Sequence, residues 1–155
     1  MPRKFLVVAD DSAEFQAALR YAARRAKSTG GRVALLKVLT PSNNDYFAGV
    51  REEIEAQLRQ EGEALLTRLG AEAEERSGAT PEFLIEFGDA PGAIKKVVAA
   101  DPDIKILVLA AAVGGRGPGP LVSAIAKDGG GFGGRKLPVT VVPGDLSDAE
   151  VEDLA

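Results

Sequence analysis

Five short apolar runs alternate with four segments of helical periodicity in this chain, and that alternation constrains the fold more than any other feature. The runs are Phe5–Ala9, Val33–Leu39, Phe83–Phe87, Ile106–Ala112 and Val139–Val142. The fourth, within Ile106–Val113, is the most apolar stretch of the sequence, continuous like a strand covered on both faces. Phe15, Ala18, Leu19, Ala22 and Ala26 recur at helical spacing and predict a helix over 12–27. Asp11 and Glu14 stand at its start and Gly30-Gly31 at its close. A second helix is expected over 50–76, with Val50, Ile54, Leu58, Leu65, Leu69 and Ala73 on one side. Gly62 weakens its middle by about 1 kcal/mol relative to alanine. A third over 91–100 has Asp89 or Ala90 as cap and Pro91 in its first turn, and a short fourth lies near 120–127. Strict β-α alternation means an α/β domain with a parallel sheet and right-handed crossovers. Beyond Pro143, Ser147-Asp-Ala-Glu150 reads as a capping box opening an acidic tail helix, packed or frayed, with no separate function.

Composition narrows the function. At 155 residues and 45% hydrophobic, the chain suits one domain that buries roughly 70% of its unfolded surface. A net charge of −4 and a pI near 5.0 argue against nucleic-acid binding. No apolar run approaches the ~18 residues of a membrane span. The basic start Met-Pro-Arg-Lys is followed by only Phe5–Ala9, too short for a signal-peptide core, so a cytoplasmic protein is expected. Without cysteine there is no disulfide, thiolate nucleophile or zinc–thiolate site, and without histidine no Ser-His, Cys-His or His-metal mechanism. Carboxylates, lysines, hydroxyls and a carboxylate-bound Mg²⁺ are what remain for chemistry.

One place points to a ligand. Nine of the eighteen glycines fall between Gly114 and Gly134, directly after the fourth apolar run. A glycine loop leaving a buried strand brings backbone N–H groups close to an anion. Arg116, Lys127, Arg135 and Lys136 accompany it against one acid, Asp128, so a phosphate-bearing ligand is the expectation. Neither Gly114-Gly-Arg-Gly117-Pro-Gly119-Pro120 nor Gly129–Gly134 with Arg135-Lys136 is GxGxxG or a P-loop. The first is a phosphate contact or an ordinary strand-to-helix connection; the second reads as a mobile surface loop. In open α/β sheets ligands sit beyond the strand carboxyl ends, which places Asp10, 38–40 and the glycine loop in one crevice if strands one and four are neighbours. Among Asp10, Asp11 and Ser12 one residue caps the following helix, and Asp10 is a candidate ligand contact. Ser123 offers a hydroxyl to phosphate or simply faces solvent. The basic run Arg24-Arg25-Ala-Lys27 suits a helix C-terminus, and the glutamates 52–63 a solvated face.

These pieces, in order, resemble the universal stress protein family along nearly the whole chain. Phe5-Leu-Val-Val-Ala-Asp10-Asp-Ser12 looks like the family's first strand and aspartate, and Val33–Val38 like its second strand. Phe87-Gly88-Asp-Ala-Pro91 with Ile94 looks like the turn into the third helix, Ile106–Leu109 with Gly114-x-x-Gly117 like strand four and its loop, and Leu137–Val142 like the closing strand. The resemblance implies a doubly wound, Rossmann-like α/β/α domain over 1–144, with an acidic tail over 145–155. It further implies a five-stranded sheet in the order 3-2-1-4-5 and a homodimer through Val139–Val142, an edge strand that invites pairing. One branch of the family binds ATP through Gly-x2-Gly-x9-Gly-Ser/Thr, an aspartate after strand one and a backbone contact after strand two. Asp10, Val38, Gly114 and Gly117 match that pattern. Lys127 and Asp128 stand where it has Gly and Ser/Thr, and Pro118 and Pro120 each remove an N–H from the segment.

Two functions therefore stand side by side. One is a stress-response dimer holding ATP or another adenine nucleotide, with or without Mg²⁺. In it Asp10 and Val38 lie on the base and ribose side, Gly114, Gly117 and Gly119 act as backbone donors, and Arg116 and Ser123 lie near phosphate; Gly119 with Ser123, or Gly129-Gly130, replaces the missing donors. The other is a nucleotide-independent interaction module of the same fold. A weak ATPase would have only Asp10, Asp11 and Mg²⁺ to orient water. No nucleic-acid or membrane partner is expected.

Overall fold

Strand β1 (Lys4–Val8) lies at the centre of the sheet, paired in parallel with β2 (Arg32–Leu39) on one side and β4 (Ile104–Ala111) on the other. Phe5 is in register with Val33 and with Ile106. The sheet is completed by β3 (Glu82–Phe87) beyond β2 and by β7 (Val139–Pro143) beyond β4, giving the order β3-β2-β1-β4-β7. This is the 3-2-1-4-5 arrangement expected, with β7 as the fifth predicted strand. These coordinates come from a computed structural model that describes residues 2–10, 12–40, 48–115, 117–127, 131–132 and 135–155. Within the second glycine segment it has a separate two-residue antiparallel ladder, β5 (Gly131–Phe132) with β6 (Arg135–Lys136). The sequence reading had only a loop there; the rest of that segment lies outside the described residues.

Right-handed crossovers divide the helices between the two faces. Helices α1 (Phe15–Thr29) and α2 (Ala48–Ser77) supply Phe15, Leu19, Leu66 and Leu69 to a cluster with Phe5, Val7, Val33 and Leu35. On the opposite face α3 (Ala90–Ala100) and α4 (Pro120–Lys127) supply Ile94, Val97, Val98 and Ile125 against Leu6, Ala34 and Leu36. Alternate residues of β1 and β2 thus serve different cores, which is why Phe5–Val8 and Val33–Leu36 read as unbroken apolar runs. No helix among the described residues is long and apolar enough to cross a membrane.

Two expectations, for α1 and α2, are modified. Helix α1 starts at Phe15 rather than Ser12. The Asp10 carboxylate accepts the Ser12 N–H at 2.8 Å and so turns the chain before the helix; Ser12 Oγ then accepts the Phe15 N–H at 3.3 Å, while Glu14 makes no side-chain cap. Asp11 lies outside the described residues. Helix α2 has its apolar stripe, but its fully buried side chains, among them Leu66, Leu69 and Ala73, lie in the second half, while Ile54 and Leu58 are only half-buried. Gly62 sits against Leu39 and Lys37 at the carboxyl end of β2, where an added Cβ would stand 3.2 Å from Leu39. Its glycine therefore permits close helix–sheet approach as well as weakening the helix. Of the 14 residues before it, about 21 Å of helix at 1.5 Å per residue, Arg59 still stands over Phe87 of β3, and Val50 near the start is exposed. The tail helix α5 (Asp148–Leu154) begins at the expected capping box, Ser147 with Glu150. It is packed, with Val151 only 3% exposed and Arg24 bonded to Glu152 at 3.0 Å.

The amino edge of the sheet is held by charge. Lys4 Nζ lies 2.6 Å from both Glu82 Oε2 and Asp101 Oδ2, joining β1 to β3 and to the α3–β4 turn. Arg135 closes the same end. Its guanidinium donates to the carbonyls of Val98 (2.8 Å), Asp101 (2.9 Å), Pro102 (3.0 Å) and Ile104, satisfying acceptors at the end of α3. This corrects the reading of Arg135 as part of a cationic ligand loop: its charge is engaged at the opposite edge of the sheet from the strand carboxyl ends.

Burial disfavours the Lys4 ammonium, but its hydrogen bonds to Asp101 and Glu82, and their charges, outweigh that and raise its pKa above the ordinary value. Burial likewise opposes ionisation of Asp101, but the Lys4 bond, the Asp103 N–H and the charges of Lys4 and Arg135 hold its carboxyl below the ordinary value. Asp101 therefore contributes stability above the unfolded carboxylate pKa of about 3.9, lost as pH falls through its lower folded value. The Lys4 share is complete below about 10.4 and lost as pH rises through its raised folded value. In a Lys4→Met variant, urea unfolding should show lower stability at neutral pH and a shallower decline toward both extremes. A curve parallel to that of the parent would remove the triad from any part in the pH dependence.

Candidate functional site

Beyond the carboxyl ends of β1 and β4 a cleft of about 220 Å³ opens at the point where the strand order reverses. Its floor is Val7 and Val8 of β1 with Val108, Leu109 and Ala110 of β4. Asp10, Ser12, Glu14, Phe15 and Ala18 form the wall on the α1 side, and Pro118 to Val122 the wall facing it. The adjacency of strands one and four, which the sequence alone left as an assumption, is what creates this space.

The two walls are built differently. Asp10 Oδ1 accepts both the backbone N–H of Ser12 at 2.8 Å and its hydroxyl at 2.5 Å. These two bonds fix the orientation of the carboxylate, and its Oδ2 has no part in them. Opposite, the loop after β4 folds back on itself, with the Ala112 N–H donating to the Pro118 carbonyl at 3.0 Å. Gly114, Gly117 and Gly119 adopt φ of 70°, 84° and 104°, a region that L side chains disfavour. These glycines are needed for the course of the chain whatever the loop binds.

The predicted residues are only partly gathered. Asp10 and Gly119 line the cleft. Gly114 and Gly117 are exposed and do not line it; Gly114 lines a separate depression with Val141, Pro143 and Asp145. Val38 belongs to β2, in register with Glu86, and its side chain packs against the α3/α4 core, away from the cleft lining. Ser123 is exposed on α4, and its N–H donates to the Gly119 carbonyl at 3.1 Å. Arg116 lies outside the described residues. Glu14, Phe15, Leu121 and Val122 were not singled out as site residues. Their signal was position, at the start of the helix that follows each strand, and it was outweighed by their fit to helix patterns.

Chemically, the described lining is apolar except for Asp10, Ser12 and Glu14, and its two charges are both negative. Carboxylates accept hydrogen bonds, so the enclosed part favours a ligand group rich in hydroxyl or amino donors. The volume is below the roughly 300–1,000 Å³ typical of small-molecule pockets, so it has room for only part of a drug-sized molecule. Phosphate would have to lie outside the enclosed volume. No group of three or more metal-ligating side chains occurs among the described residues.

Residues 1–121 match the model of the universal stress protein family. No curated protein sequence matches the chain. Among solved structures, universal stress protein UspA from Lactobacillus plantarum superposes with a TM-score of 0.74 at 19% identity, over 90% of this chain and 97% of that one. A universal stress protein family protein from Arabidopsis thaliana with AMP bound gives 0.61 at 21%, over 92% of each chain. The universal stress protein from Archaeoglobus fulgidus in complex with dAMP gives 0.54 at 19%, over 92% of this chain and 98% of that one.

Because φ at Gly119 is 104° and its wall closes the cleft, Gly119→Val should lower unfolding free energy by about 1–3 kcal/mol. Chemical denaturation measures this directly. Undiminished stability would mean that the loop relaxes without strain.

Proposed function

Because the chain belongs to the universal stress protein family, we propose that it is a stress-response protein that binds an adenine nucleotide between β1 and β4. The observation that carries this is the cleft at the strand-order reversal, with an oriented carboxylate, Asp10, at its rim and an apolar floor. Apolar strand ends suit a base, and the free side of Asp10 suits the hydroxyls of a ribose. The AMP and dAMP complexes of structurally similar proteins support the same class of ligand.

The phosphate end argues for a short tail. Pro118 and Pro120 remove two donors from the loop, Lys127 and Asp128 stand where a Gly-Ser/Thr pair would donate, and the described lining brings two carboxylates and no cation. A triphosphate gains little from such surroundings, so a nucleoside monophosphate is the preferred ligand. Protein ligands for Mg²⁺ do not converge here among the described residues, so any such ion would depend on the nucleotide's own phosphates. The dimer is proposed to form through β7, whose outer edge carries Val141 at 45% exposure.

The same prolines and replaced donors favour a second reading, the nucleotide-independent interaction module, and calorimetry separates the two. The expected result is saturable heat with AMP and no tighter binding of ATP, with affinity reduced about 10- to 100-fold in Asp10→Ala, as for loss of one or two charge-assisted hydrogen bonds. Absence of heat with AMP, ADP and ATP would establish the second reading. For the dimer, Val141→Lys should lower the average mass measured by light scattering toward the 16.1 kDa of one chain.

A further inference from the structure

At the sheet edge opposite β7, strand β3 ends the order with no described residue paired to its outer side. Phe83, Ile85 and Phe87 point to the face carrying α2. Phe83 lies against Gly70, and the Arg59 guanidinium stands over Phe87 at 5.2 Å. Ile85 is half-buried at the margin of the core, yet Phe83 and Phe87 remain 45% and 39% exposed. On the other face Glu82 is bound to Lys4 and Glu86 to Lys96 at 2.9 Å. An open edge with two exposed aromatic rings is a surface that soluble proteins normally cover.

We propose that a second copy of this chain covers it, by antiparallel β3–β3 pairing about a two-fold axis at Ile85. The pattern Phe-x-Ile-x-Phe is palindromic. Centred on Ile85, it places Phe83 opposite Phe87 of the partner subunit, Ile85 opposite Ile85 of the partner subunit, and Phe87 opposite Phe83 of the partner subunit. All three pairs lie on one face and are apolar, the arrangement that stabilises cross-strand contacts. A two-fold interface requires such self-complementarity. Charge selects the same register. A centre at Leu84 would oppose Glu82 to Glu86, and a centre at Glu86 would oppose that carboxylate to itself; odd shifts would turn the aromatic face over. With the centre at Ile85, Glu86 faces Leu84 and no like charges are opposed. This interface is independent of β7 and of nucleotide.

The chain has no cysteine, so an introduced thiol reports only on its own position. Directly opposed residues in antiparallel strands have Cα atoms about 4.5–5.5 Å apart, within disulfide reach of about 4.4–6.8 Å. Ile85→Cys, made in the Val141→Lys background to exclude pairing through β7, is equilibrated in a glutathione buffer and run on a non-reducing gel. The expected result is a band at twice the 16.1 kDa chain mass. A natively folded Ile85→Cys protein that stays at single-chain mass overturns the proposal and leaves the edge to another partner. Phe83→Cys and Phe87→Cys in the same background, both at exposed positions, test the register even if Ile85→Cys does not fold. Mixed together they should cross-link to double mass, and separately they should not. Cross-linking of either alone, or failure of the mixture, overturns the pairing about Ile85.

Discussion

Parallel pairing of β1 with both β2 and β4 is the constraint on which the site depends. The crossovers from β1 to β3 run along one face and those from β3 to β7 along the other, so the chain leaves β1 and β4 in opposite directions. The Ala9 N–H donates to the Leu36 carbonyl at 2.7 Å and draws the exit of β1 toward β2. The exit of β4 instead closes on its own loop through Ala112 and Pro118. A gap between the two strand ends follows from topology and chirality before any residue is chosen to line it.

Much of this was legible because buried parallel strands leave an unmistakable trace. Phe5–Ala9, Val33–Leu36 and Ile106–Ala112 are apolar on both faces since each strand touches two cores. Residues governed by local competition were harder to place. Asp10 binding Ser12 delays α1 by a turn, and no periodicity records that bond. The stripe from Val50 to Leu58 has the right spacing for burial, but periodicity cannot say how far the sheet extends beneath a helix. The sheet ends at Leu39, so the stripe outruns it.

The site was less legible than the fold because charge was counted along the chain while ligands respond to charge in space. Arg135 follows the glycine loop in sequence, yet its guanidinium is bonded to carbonyls at the far edge of the sheet. Glu14, assigned to a helix cap, lines the cleft. With one cation moved out and one carboxylate moved in, the charged side chains that line the cleft among the described residues are both negative. Of the three left-handed glycines only Gly119 lines the cleft, and at all three the positive φ is a requirement of the turn.

The same distinction bears on the sheet edges. Glutamates on an edge strand ordinarily guard it, since a second copy would bring like charges together. In β3 both carboxylates are already partnered within the chain, Glu82 by Lys4 and Glu86 by Lys96, and both lie on the α3 face. The repulsion that would protect the edge is thereby reduced, while the α2 face carries only Phe83, Ile85 and Phe87. Arg59 covers one ring partially from above, leaving its outward side open. An edge with neutralised guards and an apolar face is permissive toward pairing, and the residual charge pattern then determines the register in which pairing can occur.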